Sequence, residues 1–130
     1  MRLSLMFALF ILLATACSKE PGVGGNSTIT GKVIVQELDP FTGEVSSTYE
    51  AQEERVYIIY GDNEIFDDEI RTHYDGRFQF SELFKGSYTV YVYSDCSACP
   101  SGSEAILTTI EITENNSEVE ISEDIIIKNL

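Results

Sequence analysis

The feature that most constrains the fold is the two-residue alternation of side-chain character in the segment GSYTVYVYS, residues 86–94. Successive side chains of an extended strand point to opposite faces, so Tyr88 and Val90 share one face while Tyr91 takes the other. From Thr28 onward no segment keeps a 3.6-residue apolar period, and β-branched and aromatic residues dominate. The pattern predicts an all-β protein.

About seven short strands separated by turn signals follow from this reading, which is the pattern of a β-sandwich. Asp75-Gly76 is a two-residue hairpin signal, and the stretch ELDPFTGEVSSTYEAQEE reads as a long loop or ragged hairpin. In the last strand Glu123 falls on the core face, a conflict that a bulge there would remove. The strands are predicted at residues 28–36, 55–60, 65–74, 77–80, 88–94, 104–113 and 118–128.

The longest apolar run spans residues 3–16 and is preceded by Arg2. At about 14 residues it is shorter than the roughly 20 that a helix needs to cross a bilayer, and it is typical of a secretory signal peptide. The segment LATAC, which ends at Cys17, resembles the lipobox of bacterial lipoproteins. A plain signal peptide with a coincidental cysteine and an uncleaved anchor helix are the alternatives.

The lipobox resemblance implies a cleaved signal peptide at 1–16, a lipidated Cys17 with a flexible tether at 17–27, and a domain at 28–130. Several acyl chains on one cysteine would hold the protein firmly at a membrane. Ser18, directly after the cysteine, resembles the lipoproteins that are sent to the outer membrane. The expected location is therefore a lipid anchor in the outer membrane, on its periplasmic or cell-surface side.

Charge excludes one class of partner. The chain has a net charge of −14, and removal of Arg2 with the signal peptide makes it about −15. Nucleic-acid binders need basic patches, so nucleic acid is not an expected partner. The same charge disfavours flat adsorption on anionic lipid, which leaves the lipid anchor to hold the protein at the membrane.

The segment THYDGRFQFSELFKGSYTVYVYS, residues 72–94, resembles the carboxypeptidase-regulatory-like domain. This family has a seven-stranded transthyretin-like (prealbumin-like) β-sandwich of the carbohydrate-binding-like group. The resemblance covers about residues 28–127 and implies the fold, whereas the matched positions are packing positions that carry no activity. A related hydroxyisourate hydrolase uses several histidines, and this chain has one. The matched residues are Thr72, Asp75, Gly76, Phe78, Phe80, Leu83, Gly86, Tyr88 and Val90.

Cys96 and Cys99 are the two cysteines that remain once Cys17 is lipidated. An oxidising compartment permits a disulfide between them, which would pin an exposed loop. A thioredoxin-like redox pair wants a helix N-terminus, and a zinc site needs two further ligands. Both stay as alternatives to the structural disulfide.

His73 and the acidic segment 61–69 are two further candidates for metal binding. His73 is the only histidine and has no partner at a spacing that metal or hydrolytic triads use. The acidic segment 61–69 offers calcium-type oxygen ligands but lacks the spacing and glycine of an EF-hand, so a solvated loop is favoured. No metal and no cofactor are expected. The calcium candidates are Asp62, Glu64, Asp67 and Asp68.

Tyr57, Tyr91 and Tyr93 fall on the faces opposite most of the aliphatic residues of their strands. Either face of these strands could be the core, so the three tyrosines are a candidate binding surface if theirs is the outer one. Exposed tyrosines suit protein contact or stacking on sugars, whereas cross-strand pairing that stabilises the sheet is the plainer explanation. The sequence therefore predicts a non-enzymatic, lipid-anchored module for protein contact or adhesion. Carbohydrate binding is the first alternative, and a redox or metal role of Cys96 and Cys99 is the second.

Overall fold

A computed structural model describes residues 19–130. The predicted signal peptide at 1–16, the predicted lipidation site Cys17 and Ser18 lie outside the described residues. All regular secondary structure in the described part is strand, which confirms the all-β prediction, although there are nine strands rather than seven. The strands are β1 (Val23–Leu38), β2 (Val45–Glu50), β3 (Arg55–Tyr60), β4 (Asp68–Arg71), β5 (Arg77–Leu83), β6 (Gly86–Asp95), β7 (Ser103–Ile112), β8 (Glu118–Glu120) and β9 (Ile125–Asn129).

The 16-residue strand β1 organises the first sheet. Its first half pairs with β5 and its second half with β2, both antiparallel. The short strands β8 and β9 add to β1 in parallel, with Thr28 to Thr30 against β8 and Val33 to Glu37 against β9. The second sheet has the order β4-β3-β6-β7, and all of its pairings are antiparallel.

Alternation places one face of each sheet against the other. In β1 every second residue from Ser27 to Val35 is buried, as the apolar pattern predicts. The aromatic pair Phe78 and Phe80 of β5 points into the same interior, with ring centroids 6.0 Å apart. The fully or almost fully buried side chains include Ile29, Val33, Val56, Ile58, Phe78, Phe80, Leu83, Tyr88, Val90, Val92, Ile112 and Ile125.

The N-terminal segment differs from the sequence prediction. Residues 23–27, which the sequence predicts to be part of a flexible tether, belong to β1, and Ser27 is buried. Their glycines serve close packing rather than flexibility, because a Cβ on Gly25 would lie 2.2 Å from the Leu83 carbonyl oxygen. Composition alone does not distinguish a glycine that loosens a chain from one that lets two backbones touch.

The Asp75-Gly76 turn is present, but it does not make a tight hairpin. Its flanking strands β4 and β5 belong to different sheets, so the turn carries the chain across the sandwich. Gly76 has a φ of +78°, and its amide donates to the His73 carbonyl at 3.0 Å. The buried Thr72 supports this crossing, since its hydroxyl donates to the Ala51 carbonyl and accepts from the Glu54 amide.

Two predicted strands are shorter than their apolar patterns suggested. The strand expected at 65–74 is reduced to Asp68–Arg71, and Ile65 and Phe66 lie exposed in the preceding loop. The strand expected at 118–128 breaks into β8 and β9. Glu123 lies between β8 and β9 and is exposed. An interruption of the strand, rather than a bulge, therefore keeps its carboxylate out of the core.

Among residues 19–130 the structure contains no helix that is long and apolar enough to span a bilayer.

Candidate functional site: an aromatic face on the four-stranded sheet

Strand pairing brings the predicted tyrosines together. Tyr57 of β3 lies directly opposite Tyr91 of β6, and Tyr93 follows two residues later on the same face. Their intervening neighbours Ile58 and Val92 are fully buried between the sheets. The alternation therefore turns the three rings away from the space between the sheets, which decides a choice of face that the sequence left open.

The tyrosines form one contiguous cluster with a residue that the sequence analysis missed. Tyr57 stacks on Tyr91 with ring centroids 4.9 Å apart, and Phe66 meets Tyr57 edge-on at 4.9 Å. Tyr93 packs edge-on against Tyr57 and Tyr91, at 5.6 Å from each. We call Tyr57, Phe66, Tyr91 and Tyr93 the aromatic face. The one signal for Phe66 in the sequence is a large apolar residue in an acidic loop.

Accessibility is uneven across the aromatic face. Tyr91 is only 8% exposed because the neighbouring rings cover it. It therefore packs beneath the exposed rings and offers little surface to a ligand. Tyr93 is 48% exposed and Phe66 44%. Leu107 of β7, which pairs with Tyr91, is 62% exposed beside them. A ligand would therefore contact Tyr93, Phe66 and Leu107 first.

The electrostatics of this surface are simple. Burial raises the pKa of the Tyr91 hydroxyl above its usual value of 10.0, and the adjacent Tyr93 adds to the shift. The Tyr91 ring therefore stays uncharged at physiological pH. One ion pair flanks the rings, between Arg55 Nε and Glu69 Oε2 at 3.8 Å. The centre of the surface is thus neutral and aromatic, although the chain as a whole is strongly acidic.

Tyr93 also lines a second feature, which we call the rim cavity. It has a volume of about 280 Å³ and lies where the ends of β2, β6 and β9 meet the segment between β2 and β3. Two aromatic rings, two carboxylates and two amides contribute to its wall. Its polar and aromatic lining residues are Tyr49, Gln52, Glu54, Tyr93, Asp95, Lys128 and Asn129.

Some polar groups of the rim cavity already have partners. The Tyr49 hydroxyl donates to Glu37 Oε1 at 3.0 Å, and Asn129 Nδ2 donates to the same oxygen at 3.1 Å. Asp95 Oδ2 accepts from the Leu130 amide at 3.0 Å. Burial raises the pKa of the Glu54 carboxyl, against smaller opposing effects of the Arg55 amide and the Arg71 charge. The cavity wall is therefore ordered and partly dehydrated.

The cysteine pair forms the disulfide that the sequence predicted. Cys96 and Cys99 are bonded with their Cα atoms 5.4 Å apart, in the loop that joins β6 to β7. The Cys96 amide donates to the Gly102 carbonyl at 2.9 Å, which closes the loop. Within residues 19–130, the one cluster of His, Cys, Asp or Glu side chains with metal-ligand spacing is Cys96, Cys99 and Glu104. Both of its sulfurs are in the disulfide, so neither is a thiolate ligand.

The calcium candidates of the acidic loop do not converge on one point. Asp67 Oδ2 accepts from the Tyr60 amide at 2.7 Å, and both its carboxylate oxygens accept from Asn63 Nδ2. Asp68 Oδ1 accepts from the Glu69 amide. Asp62 and Glu64 are not in a group with metal-ligand spacing among the described residues. The carboxylate of Asp67 shapes the loop that carries Phe66, which is a structural role.

His73 is exposed beside the crossing turn, where its backbone bonds to Arg77. With Tyr74 and Arg77 it lines a shallow, open cavity. Among residues 19–130, His73 belongs to no group of three or more His, Cys, Asp or Glu side chains with metal-ligand spacing. It is an exposed residue of the crossing turn.

No protein-family model and no curated protein matches the chain. Among solved structures, it is similar to a candidate carbohydrate-binding protein from Pseudomonas aeruginosa, at 13% identity and a TM-score of 0.50. That match covers 88% of this chain and 92% of the other. (S)-allantoin synthase matches at 13% identity and a TM-score of 0.44, over 80% of this chain and 42% of the other. The first likeness shows a shared sandwich fold and the second carries no conclusion, so membership of the carboxypeptidase-regulatory-like family stays a prediction.

Proposed function

We propose that this chain is a non-enzymatic, lipid-anchored module of the cell envelope that binds a partner protein through the aromatic face. The observation that carries the proposal is the contiguous exposed surface of Tyr93, Phe66 and Leu107 around a stacked tyrosine pair. Large apolar side chains that gather on the surface of a soluble domain commonly mark an interaction site. Tyrosine and phenylalanine are also enriched at the centres of protein interfaces.

The proposed location rests on the lipobox-like sequence that ends at Cys17. A thiol-linked lipid would hold a module whose net charge opposes adsorption to anionic lipid. The folded body then displays the aromatic face from the membrane surface. No reaction is proposed for the module, because its sequence offers no set of residues suited to catalysis.

Carbohydrate binding is the second candidate, and the rim cavity favours it. Tyr93 and Tyr49 offer ring faces, while Gln52, Glu54 and Asn129 offer amide and carboxylate groups suited to sugar hydroxyls. The volume lies just below the roughly 300–1,000 Å³ of pockets for drug-sized ligands, so a single sugar ring suits it better than a larger ligand. The similarity to a candidate carbohydrate-binding protein is compatible with this reading through the fold alone.

Site-specific photocrosslinking in intact cells tests the first candidate. A photoreactive amino acid at Leu107 lies beside the aromatic face, and one at Ile126 provides a matched control of similar exposure on β9 of the other sheet. We expect a discrete crosslinked protein from position 107 and none from position 126. The crosslink should disappear when Tyr93 and Phe66 are both changed to alanine. Equal products from both positions would contradict the proposal.

A glycan array tests the second candidate. The soluble domain, from residue 18 onward, is applied beside a Gln52→Ala and Tyr49→Ala double variant and a Tyr74→Ala control. Tyr74 is an exposed tyrosine that is not among the lining residues of the rim cavity. Binding that the double variant loses and the control keeps would support a sugar site. A blank array would remove carbohydrate binding.

A further inference from the structure

We propose that one end of the sandwich rests directly on the lipid surface, so that the module stands upright on the membrane instead of swinging on a tether. This inference rests on the proposed lipid anchor at Cys17. It commits to a bilayer surface as the occupant of the end formed by Lys19, Phe84, Lys85 and Thr113, which we call the proximal end.

The chain becomes part of the folded body soon after the cysteine. The Gly22 amide donates to the Tyr88 hydroxyl at 2.9 Å, and the Phe84 amide donates to the Gly22 carbonyl at 2.8 Å. Tyr88 itself is fully buried. Gly22 is thus joined through both its backbone groups to the core, five positions after the cysteine.

Lys19 already lies against the folded domain. Its ammonium group sits over the Phe84 ring, 4.9 Å from the centroid. Two peptide units separate Lys19 from Cys17, a span of at most about 7 Å in a fully extended chain. The Cα atom of a lipidated Cys17 therefore lies within about that distance of the Lys19 backbone, which leaves little room for a swinging tether.

This short connection brings the surface around Lys19 close to the lipid. Lys19, Phe84, Lys85 and Thr113 line one shallow depression together with Glu111. Phenylalanine and the long stems of lysine suit the boundary between lipid headgroups and acyl chains. The proximal end also carries carboxylates such as Glu20 and Glu111, so the length of the connection, and not net charge, sets the orientation.

The direction of β6 determines which parts of the domain lie far from the membrane. β6 starts at the proximal end with Gly86 and runs for ten residues to Asp95, a length of about 30 Å at about 3.3 Å per residue. The disulfide loop after Asp95 thus lies at the opposite end, as does the tip of the β1–β2 hairpin. The aromatic face lies on the side of the module between the two ends, where a partner approaches parallel to the membrane.

Fluorescence quenching on the full mature lipidated protein tests the orientation. The probe is a vesicle of phosphatidylethanolamine and phosphatidylglycerol that contains a headgroup-nitroxide lipid. Single labels at Thr113→Cys and Thr42→Cys compare two exposed threonines at the proximal end and at the hairpin tip. We expect quenching several-fold stronger at position 113 than at position 42. A long Gly-Ser insertion between Ser18 and Lys19 should remove that difference.

The outcomes separate the orientation from the anchor. Equal quenching at both positions, in protein that sediments with the vesicles, would overturn the upright arrangement and leave the lipid anchor intact. Protein that stays in the supernatant, with no acyl mass on Cys17, would overturn both. A difference between the labels that survives the Gly-Ser insertion would also overturn the inference, because the short connection would then not be its cause.

Discussion

The hydroxyl of Tyr88 accepts a hydrogen bond from the Gly22 amide at 2.9 Å, which ties the start of the folded chain to the core across 66 sequence positions. The same hydroxyl donates to the Phe84 carbonyl at 2.7 Å. One buried phenol thus joins the N-terminal segment and the β5–β6 connection. Burial raises the pKa of this phenol, which keeps the donor protonated at physiological pH.

Tyr88→Phe should therefore lower the free energy of unfolding by about 1–3 kcal/mol, because the Gly22 amide and the Phe84 carbonyl lose a buried partner. Urea denaturation followed by circular dichroism measures the change. The control is Tyr74→Phe at an exposed site, where we expect a change within about 0.5 kcal/mol. Equal stabilities for the two variants would show that the Gly22 bond contributes nothing.

Tyr57→Ala should destabilise the protein more than Tyr93→Ala. Tyr57 packs against three rings, those of Phe66, Tyr91 and Tyr93, whereas Tyr93 packs against two. Each aromatic pair contributes about 0.5–1.5 kcal/mol beyond the area it buries. Thermal unfolding of both variants measures the order. The reverse order would mean that the stacking with Tyr91 is not what holds the face together.

Glycine substitutions should separate a steric requirement from a conformational one. Gly76 and Gly43 both have a positive φ, at 78° and 74°. A Cβ at position 76 would lie 2.5 Å from the Val33 carbonyl oxygen, whereas one at position 43 meets nothing within 4 Å. Gly43→Ala should thus cost only the left-handed backbone penalty of about 1–2 kcal/mol. Gly76→Ala should lower the free energy of unfolding clearly more. Urea unfolding of both variants measures the two losses. Similar losses would contradict the close approach of Gly76 to Val33 in the crossing turn.

Removal of the disulfide should have a small and local effect. The chain-entropy estimate for a four-residue ring is about 2 kcal/mol, so the Cys96→Ser and Cys99→Ser double variant should lose no more than that. Reduction of the wild-type protein should give the same loss in urea denaturation. Crosslinking from Leu107 should persist in the double variant, because the loop lies beyond the end of β6 and not on the aromatic face. Loss of that crosslink would assign the loop to the binding surface.

Glu54 gives a pH dependence of defined sign. Burial raises its pKa in the folded state above the usual value of 4.5, so the protonated form suits the fold better than the charged form. Its contribution to stability is fully present below the unfolded-state pKa and is lost as the pH rises through the folded-state pKa. Glu54→Gln should therefore be more stable than wild type at neutral pH and nearly equal to it at acidic pH. Urea unfolding of both proteins at the two pH values measures their free energies of unfolding. If the variant and the wild type differed by the same amount at both pH values, ionisation of Glu54 would not be the cause of the difference.

The candidate site was predictable in part. Strand parity put Tyr91 and Tyr93 on the same face of their strand, because the period of two is a property of any extended chain. That Tyr57 joins them was decided by the pairing of β3 with β6. The contribution of Phe66 depends on a loop that Asp67 shapes through its bond to the Tyr60 amide, and no local pattern encodes that approach. The burial of Tyr91 likewise depends on which rings of other segments come to cover it.

The sequence by itself determined that this chain is built from strands, where most of those strands run, and which side chains of a strand share a face. These properties follow from the alternation of apolar residues and from turn residues, which act over a few neighbouring positions. Only the tertiary structure decided that Gly25 packs against Leu83, that the turn at Asp75-Gly76 crosses between sheets, and that β8 and β9 pair in parallel with β1. Each of these depends on contacts between segments far apart in the chain, whose geometry is set when the two sheets pack together.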